Sequence, residues 1–389
     1  VETVDVAVVG AGPAGASAAL AARRLGADVL LLDRADFPRD KACGDGIAAH
    51  ALDVLTALGV PDAVAGYRPV PALRLVAPGG GQVARPLPRP AYTVPRRVFD
   101  ARLVAAALAA GAGLRRHTVR RVEVAGDRVV LDGVLAARAV VGADGAGSVV
   151  RRALGQAANP DGHLGLAIRG YAPAPAGPVE QRIVTSATHW PGYAWAFPIG
   201  DGRANVGYGE VLTGRPLRRT HLLERLAVLL PEVDPGAVTD LRAHHLPLST
   251  RRPVPGRGRI VLAGDALSLI NPLTGEGIFY AVLSGALAGT AAAGSPAAAA
   301  DGYAAALHRR LGRHLRHSST VAGLARRRPV VDAAVGAAAR DAEVFRTLVE
   351  LGLGDGRLDL RALIGIVAAT PGAVGRHFRR RVWSVRCRG

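Results

Sequence analysis

Cysteine is almost missing from this 389-residue chain: Cys43 and Cys387 stand near opposite ends. Two such residues exclude a disulfide-stapled scaffold and a thiolate metal site, and their scarcity points to a reducing, cytoplasmic setting. Methionine is absent, and Lys41 is the single lysine among 49 basic residues. Nearly all of the +18 net charge is therefore arginine, a bias closer to genome composition than to function. No signal-like segment precedes the first expected strand at Val4. Long apolar runs are lacking too. The longest uncharged stretch, 277–300, is rich in Ala and Gly and contains Pro296, so a buried helix is expected rather than a membrane span. Acidic residues are missing from 302–331 and 360–389, which concentrates basic charge toward the C-terminus. Such a surface suits anionic lipid or an acidic small molecule. No helix-turn-helix, zinc or RNA-binding signature accompanies the arginines, so nucleic acid is not an expected partner. Global disorder is excluded, because 49% of the residues are hydrophobic.

Val4 to Val9 form a β-rich run that leads into Gly10-Ala11-Gly12-Pro13-Ala14-Gly15 and then an Ala-rich helical stretch to about Gly26. A second apolar run, Val29 to Leu32, ends at Asp33 with Arg34 beside it, at the spacing of a dinucleotide-binding βαβ unit. Gly10 permits the tight turn, Gly12 lets the backbone approach a pyrophosphate, and Gly15 lets helix pack on strand. Asp33 is placed to accept from ribose hydroxyls, which favours FAD or NAD over NADP at this turn. Later come Val140-Val141-Gly142-Ala143-Asp144-Gly145 and Ile260-Val261-Leu262-Ala263-Gly264-Asp265-Ala266, each a strand ending in a Gly/Asp turn. Asn271-Pro272-Leu273-Thr274-Gly275-Glu276-Gly277-Ile278 then opens a long helix.

Together these motifs resemble those of the p-hydroxybenzoate-hydroxylase-like flavoproteins. The resemblance implies that Gly264 and Asp265 hold a ribityl hydroxyl, that the amides of Gly275, Gly277 and Ile278 face the pyrimidine edge of the flavin, and that Arg96 and Asp144 lie near the FAD. Two further segments resemble the geranylgeranyl reductase family: Cys43-Gly44-Asp45-Gly46, a loop beside the flavin in that family, and Pro191-Gly192-Tyr193-Ala194-Trp195-Ala196-Phe197-Pro198, a strand lining its substrate pocket. The likeness runs from residue 1 to about 300.

Period-two spacing puts Tyr193, Trp195 and Phe197 on one face, and aromatics are only 4% of the chain. Such a wall suits a long apolar substrate. The family likeness places Cys43 in the active site; the residues alone leave an inert small hydrophobe open. Asp45 is a candidate to donate or relay a proton, although capping a helix from about Ile47 is its expected single role. His244, His245, His308, His314 and His317 are expected to be solvated, with no metal-ligand spacing. No metal is expected.

The fold class expected is α/β: a discontinuous Rossmann-type FAD-binding domain (1–72, 96–159, 256–301), an antiparallel substrate sheet (73–95, 160–255) and a basic helical region (302–389). The strand 204–209 is expected to pair with 193–197 across the Gly200-Asp201-Gly202 turn. The function implied is FAD-dependent reduction of carbon–carbon double bonds in an isoprenoid chain, with NAD(P)H or a ferredoxin as electron donor. An FAD monooxygenase and a lipid-carrying flavoprotein remain alternatives. The segment 376–383 is a candidate for peripheral contact with the inner face of a membrane, or else a solvated terminus.

Overall fold

The computed structural model describes residues 1–369; Cys387 and the segment 376–383 lie outside them. Two sheets organise the chain. The first is built on five parallel strands in the order Ile260–Leu262, Leu135–Gly142, Glu2–Val9, Val29–Asp33 and Gly113–Arg116. Helices cover it, so its strands carry continuous apolar runs; Val6, Ala7, Val8, Val140 and Val141 are fully buried. Each such valine removed from water contributes roughly 1.5–3 kcal/mol.

The helix Pro13–Arg24 follows the glycine turn and is crossed closely by Ile278–Gly294. Small residues make that crossing possible. A Cβ on Gly285 would sit 2.1 Å from the Ala14 carbonyl oxygen, and one on Gly289 2.0 Å from that of Ala18. The uncharged stretch is therefore a buried helix, and among the described residues no helix is long and apolar enough to cross a membrane.

The second sheet runs Thr239–Pro247, Leu164–Pro173, Arg203–Val211, Gly192–Pro198, Glu180–Thr185, Val70–Val76, Gln82–Thr93 and Gly46–Ile47. Tyr193 pairs with Gly209 and Phe197 with Asn205, the hairpin expected across Gly200–Gly202. The sheet departs from the antiparallel expectation at one seam, where Glu180–Thr185 lies parallel to Val70–Val76. These two strands lie about a hundred residues apart in the chain, so no hairpin turn imposes antiparallel pairing on them.

The helix Ala299–Ala325 packs on Ile278–Gly294 and on the strands Gly256–Arg257 and Ile260–Leu262 of the first sheet, and behind the second sheet lie Arg328–Arg340, Ala342–Leu353 and Leu360–Ala369. Val330, Ala333, Val344 and Phe345 form a second core with Leu73 and Val83 of the sheet. The C-terminal helices thus become a wall of the molecule rather than an appendage.

Candidate active site

The glycine turn follows the steric logic of its sequence. Gly10 has φ +96°, and a Cβ there would meet the Ala143 carbonyl oxygen at 2.4 Å. One on Gly15 would strike the Gly10 carbonyl oxygen at 1.8 Å, and one on Gly264 would come within 3.1 Å of the Ala14 Cβ. Asp33 is buried at the end of its strand; its Oδ2 accepts from the Ala11 amide at 2.8 Å and its Oδ1 from the Ala35 amide at 3.0 Å. Arg34 is exposed at the rim of the cavity. Two guanidinium groups flank the turn. Arg96 is buried and forks onto Asp100 at 2.6 and 2.8 Å, Arg39 adds a 3.0 Å bond to the same carboxylate, and both reach to within 4 Å of a Cβ placed on Gly12. Asp144 spends its oxygens locally: Oδ1 accepts from Ser148 Oγ, and Oδ2 from the Val149 amide at 2.6 Å, capping the short helix that follows.

Lys41, the sole lysine, donates to Asp265 Oδ2 at 3.1 Å, and His244 Nε2 stands 3.6 Å from the same oxygen. Burial pushes the Asp265 carboxyl up, but Lys41 and His244 outweigh it and hold it well below the usual carboxylate range. The expectation of solvated histidines fails at His244 and at His314. His244 is held in the cavity wall, and burial lowers its pKa. His314 is buried between Tyr280 Oη and the Gly356 carbonyl oxygen, because its face of a basic helix turns inward.

The Cys43–Gly46 loop lies against the aromatic strand. A Cβ on Gly44 would be 3.4 Å from Trp195 Nε1 and one on Gly46 3.5 Å from Phe197 Cε2. Asp45 does not cap the next helix, whose first residue is Ala49 and whose N-cap is Ala48. Its left-handed backbone, φ +58°, turns the carboxyl behind the loop into full burial. There Tyr171 Oη donates to Asp45 Oδ2 at 2.6 Å and Asn205 Nδ2 at 2.8 Å, while Oδ1 has no partner. Burial pushes this carboxyl up to about 6. Burial likewise raises the Cys43 thiol, against the pull of Arg96, so it stays protonated at neutral pH.

Tyr193 Oη donates to the Thr274 carbonyl oxygen, tying the aromatic strand to the 271–277 loop. The amides of Ile278 and Phe279 turn to the Glu276 carboxylate, the latter at 2.8 Å, rather than outward. Burial pushes Glu276 up to about 7. The Gly277 amide makes no hydrogen bond among the described residues.

These groups line one cavity of about 1460 Å³. Gly12, Asp33, Arg96, Asp265 and Gly277 border one part, Cys43 and the aromatic strand the middle. The far part runs between the second sheet and the C-terminal helices, past Leu75, Ile183, Val330, Ala334, Leu348 and Ile366. The volume exceeds the ~300–1,000 Å³ typical of a single small-molecule site. Every residue singled out in the sequence lines it except Gly15 and Asp45, which support it from behind, and Gly264, which packs on Ala14. Lys41, Asn205 and Glu276 were not singled out as site residues, and His244 was expected to be solvated. The solitary lysine and the asparagine inside an apolar strand were the available signals.

Residues 3–167 match the FAD binding domain family. Over 313 residues the chain is 36% identical to a menaquinone reductase of Mycolicibacterium smegmatis, covering 73% of this chain and 75% of that one. Over 316 residues it is 34% identical to a digeranylgeranylglycerophospholipid reductase of Methanopyrus kandleri, covering 74% and 76%. The chain belongs to the geranylgeranyl reductase family. It is an FAD-dependent oxidoreductase, and the cavity fits that cofactor: a side-chain-free Gly12 between two guanidinium groups for the diphosphate, and a Gly277 amide that makes no hydrogen bond among the described residues. Among solved structures, a geranylgeranyl bacteriochlorophyll reductase-like protein from Thermoplasma acidophilum matches with TM-score 0.79 at 20% identity over 97% of this chain and 99% of that one. A p-nitrophenol 4-monooxygenase from Pseudomonas putida matches with TM-score 0.72 at 20% identity over 92% and 100%. One fold therefore serves reductases and monooxygenases, and the family membership separates them.

Proposed function

We propose that this family member saturates carbon–carbon double bonds in the isoprenoid chain of a membrane lipid. The observation that carries this is the apolar extension of the cavity from Cys43 and the aromatic strand to the gap between the second sheet and the C-terminal helices. A flexible polyprenyl chain matches such a lining, because it brings no polar group that would need a partner there. We assign 1–72, 96–159 and 256–301 to the FAD-holding unit, 73–95 and 160–255 to the substrate sheet, and the helices beyond 302 to the tunnel's outer wall.

Bound FAD supplies a hydride equivalent when reduced. The chain's own residues do the rest. Arg39 and Arg96 hold the diphosphate, Asp33 the adenosine ribose, and Asp265, fixed as an anion by Lys41, a ribityl hydroxyl. Tyr193, Trp195 and Phe197, packed against the Cys43 loop, form with it the wall along which the substrate chain is held at transfer distance. An unactivated alkene needs a proton on the carbon that does not receive hydride, and the protonated Cys43 thiol borders that position. Electrons reach the cofactor from a donor that docks transiently, NAD(P)H or a ferredoxin, since no second glycine-rich nucleotide turn follows the first. A lipid substrate resides in a bilayer, and the +18 net charge suits work at an anionic surface.

The test is anaerobic reoxidation of the dithionite-reduced, FAD-loaded enzyme, followed by flavin absorbance. A digeranylgeranyl glycerophospholipid should reoxidise it and the fully saturated diphytanyl lipid should not. Inertness of the unsaturated phospholipid and of menaquinone alike would overturn the proposal.

A further inference from the structure

In the strand Arg203–Val211, Asn205, Gly207 and Gly209 share one face. Gly207 lies opposite Trp195 in the ladder, and a Cβ on it would overlap Trp195 Cζ2. A Cβ on Gly44 would stand 3.4 Å from Trp195 Nε1 and 3.7 Å from Cε2. The indole therefore lies in a seat that only glycine leaves open on the neighbouring strand, with its nitrogen edge against the Cys43 loop. Asn205 joins the two. It is fully buried, its Oδ1 accepts from Trp195 Nε1 at 2.8 Å, and its Nδ2 donates to the Cys43 carbonyl oxygen at 2.9 Å and to Asp45 Oδ2 at 2.8 Å. The amide can face only this way, because an indole N–H only donates and a backbone carbonyl only accepts. Leucine and ionised aspartate share its shape but cannot offer one acceptor and two donors. Among the described residues no other side chain hydrogen-bonds both the Cys43 loop and the aromatic strand.

We propose that Asn205 is a positioning residue for the alkene: it locks the Cys43 loop and the Trp195 indole into one wall, and so sets where a double bond lies along that wall. The inference rests on the alkene-reductase reading above. Asn205 touches no substrate itself and acts through Trp195 and the loop, both of which line the cavity. The affinity for a long chain comes from the apolar extension past Leu75, Ile183 and Val330, a part of the cavity that Asn205 does not line. Loss of the lock therefore lowers turnover and leaves binding in place. A misplacement of about 1 Å at the reacting atoms is enough to slow a reaction ~10²-fold.

Asn205→Leu removes all three hydrogen bonds at similar volume, and Asn205→Asp keeps the acceptor for Trp195 while losing the donors to the loop. Tyr171→Phe is the control, since it removes the other donor to Asp45 and leaves the bonds to Cys43 and Trp195 in place. Anaerobic reduction of digeranylgeranyl glycerophospholipid or menaquinone, whichever the parent accepts, is followed under excess dithionite and expressed per bound FAD. The kcat should fall ~10²-fold in Asn205→Leu and at least ~10-fold in Asn205→Asp, with KM within ~3-fold of the parent in both, while Tyr171→Phe keeps kcat within ~3-fold. A second readout does not depend on turnover. The chain has three tryptophans, and in the 15N-labelled protein the indole N–H resonance that Trp195→Phe removes should move upfield in Asn205→Leu, where its acceptor is lost. Should Asn205→Leu yield no folded protein, Asn205→Asp against Tyr171→Phe decides the matter. An unchanged kcat per bound FAD, an equal loss in Tyr171→Phe, a loss carried by KM, or an unmoved indole resonance would overturn the assignment. A parent enzyme that reduces neither lipid would instead overturn the alkene-reductase reading itself.

Discussion

At the scale of single residues, Asp45 shows how a position's meaning depends on partners far away in sequence. Read locally, an acid just ahead of a helix is a cap. In the fold, Tyr171 and Asn205, 126 and 160 residues away, collect its carboxyl into full burial behind the active-site loop. Its folded pKa of about 6 lies above the ordinary 3.8. The linkage sign follows: the contribution of Asp45 to stability is complete below 3.8 and is lost as pH rises through about 6. Asp45→Asn keeps the left-handed backbone, which Asn tolerates well, and cannot ionise. Denaturant unfolding should therefore show the variant gaining on the parent by up to about 3 kcal/mol between pH 4 and pH 7.5. A difference that stays flat across that range would contradict the burial account. Gly10, Gly12 and Gly15, by contrast, were legible in the sequence, because their constraint is backbone approach within a few residues. Lys41 and His244 were not, since their common partner Asp265 lies far from Lys41 along the chain and is brought to it only by the folded sheet.

At the scale of elements, apolar runs without alternation identified the parallel strands, and period-two aromatics identified the pocket strand. Both patterns are local consequences of burial on two faces or one. The parallel seam between Glu180–Thr185 and Val70–Val76 was not legible, because no turn joins those strands. The C-terminal helices carried the same difficulty. Their amphipathic pattern says that one face is buried but not against what, and in the fold that face closes the tunnel over Leu73, Leu75 and Ile183. On the proposed function, a helix of the C-terminal region is expected to limit the chain length accepted. Ala334→Phe puts a ring into the tunnel from the Arg328–Arg340 helix. Reduction of a geranylgeranyl lipid should fall at least ~10-fold while FAD affinity, read by flavin fluorescence, stays within ~2-fold, because the cofactor end is untouched. Unimpaired reduction of the long chain would show that the substrate does not run between sheet and helices.

At the scale of the whole molecule, a nucleotide-binding sheet, an aromatic-faced sheet and a helical wall enclose one continuous cavity with polar groups at one end and apolar ones at the other. The same fold supports monooxygenases, so the shape of the molecule does not decide its chemistry. Family membership and the apolar depth of the cavity do favour reduction, and reduction and oxygenation leave different atoms in the product. The decisive measurement is mass spectrometry of geranylgeranyl phospholipid and menaquinone recovered after incubation with the FAD-loaded enzyme, anaerobically with dithionite and aerobically with NAD(P)H. The account predicts a gain of two hydrogens per double bond in the anaerobic arm for at least one of the two lipids, with no oxygen incorporated in either arm. Unchanged lipid without oxygen, together with an added oxygen atom under air, would contradict it and make the protein a monooxygenase.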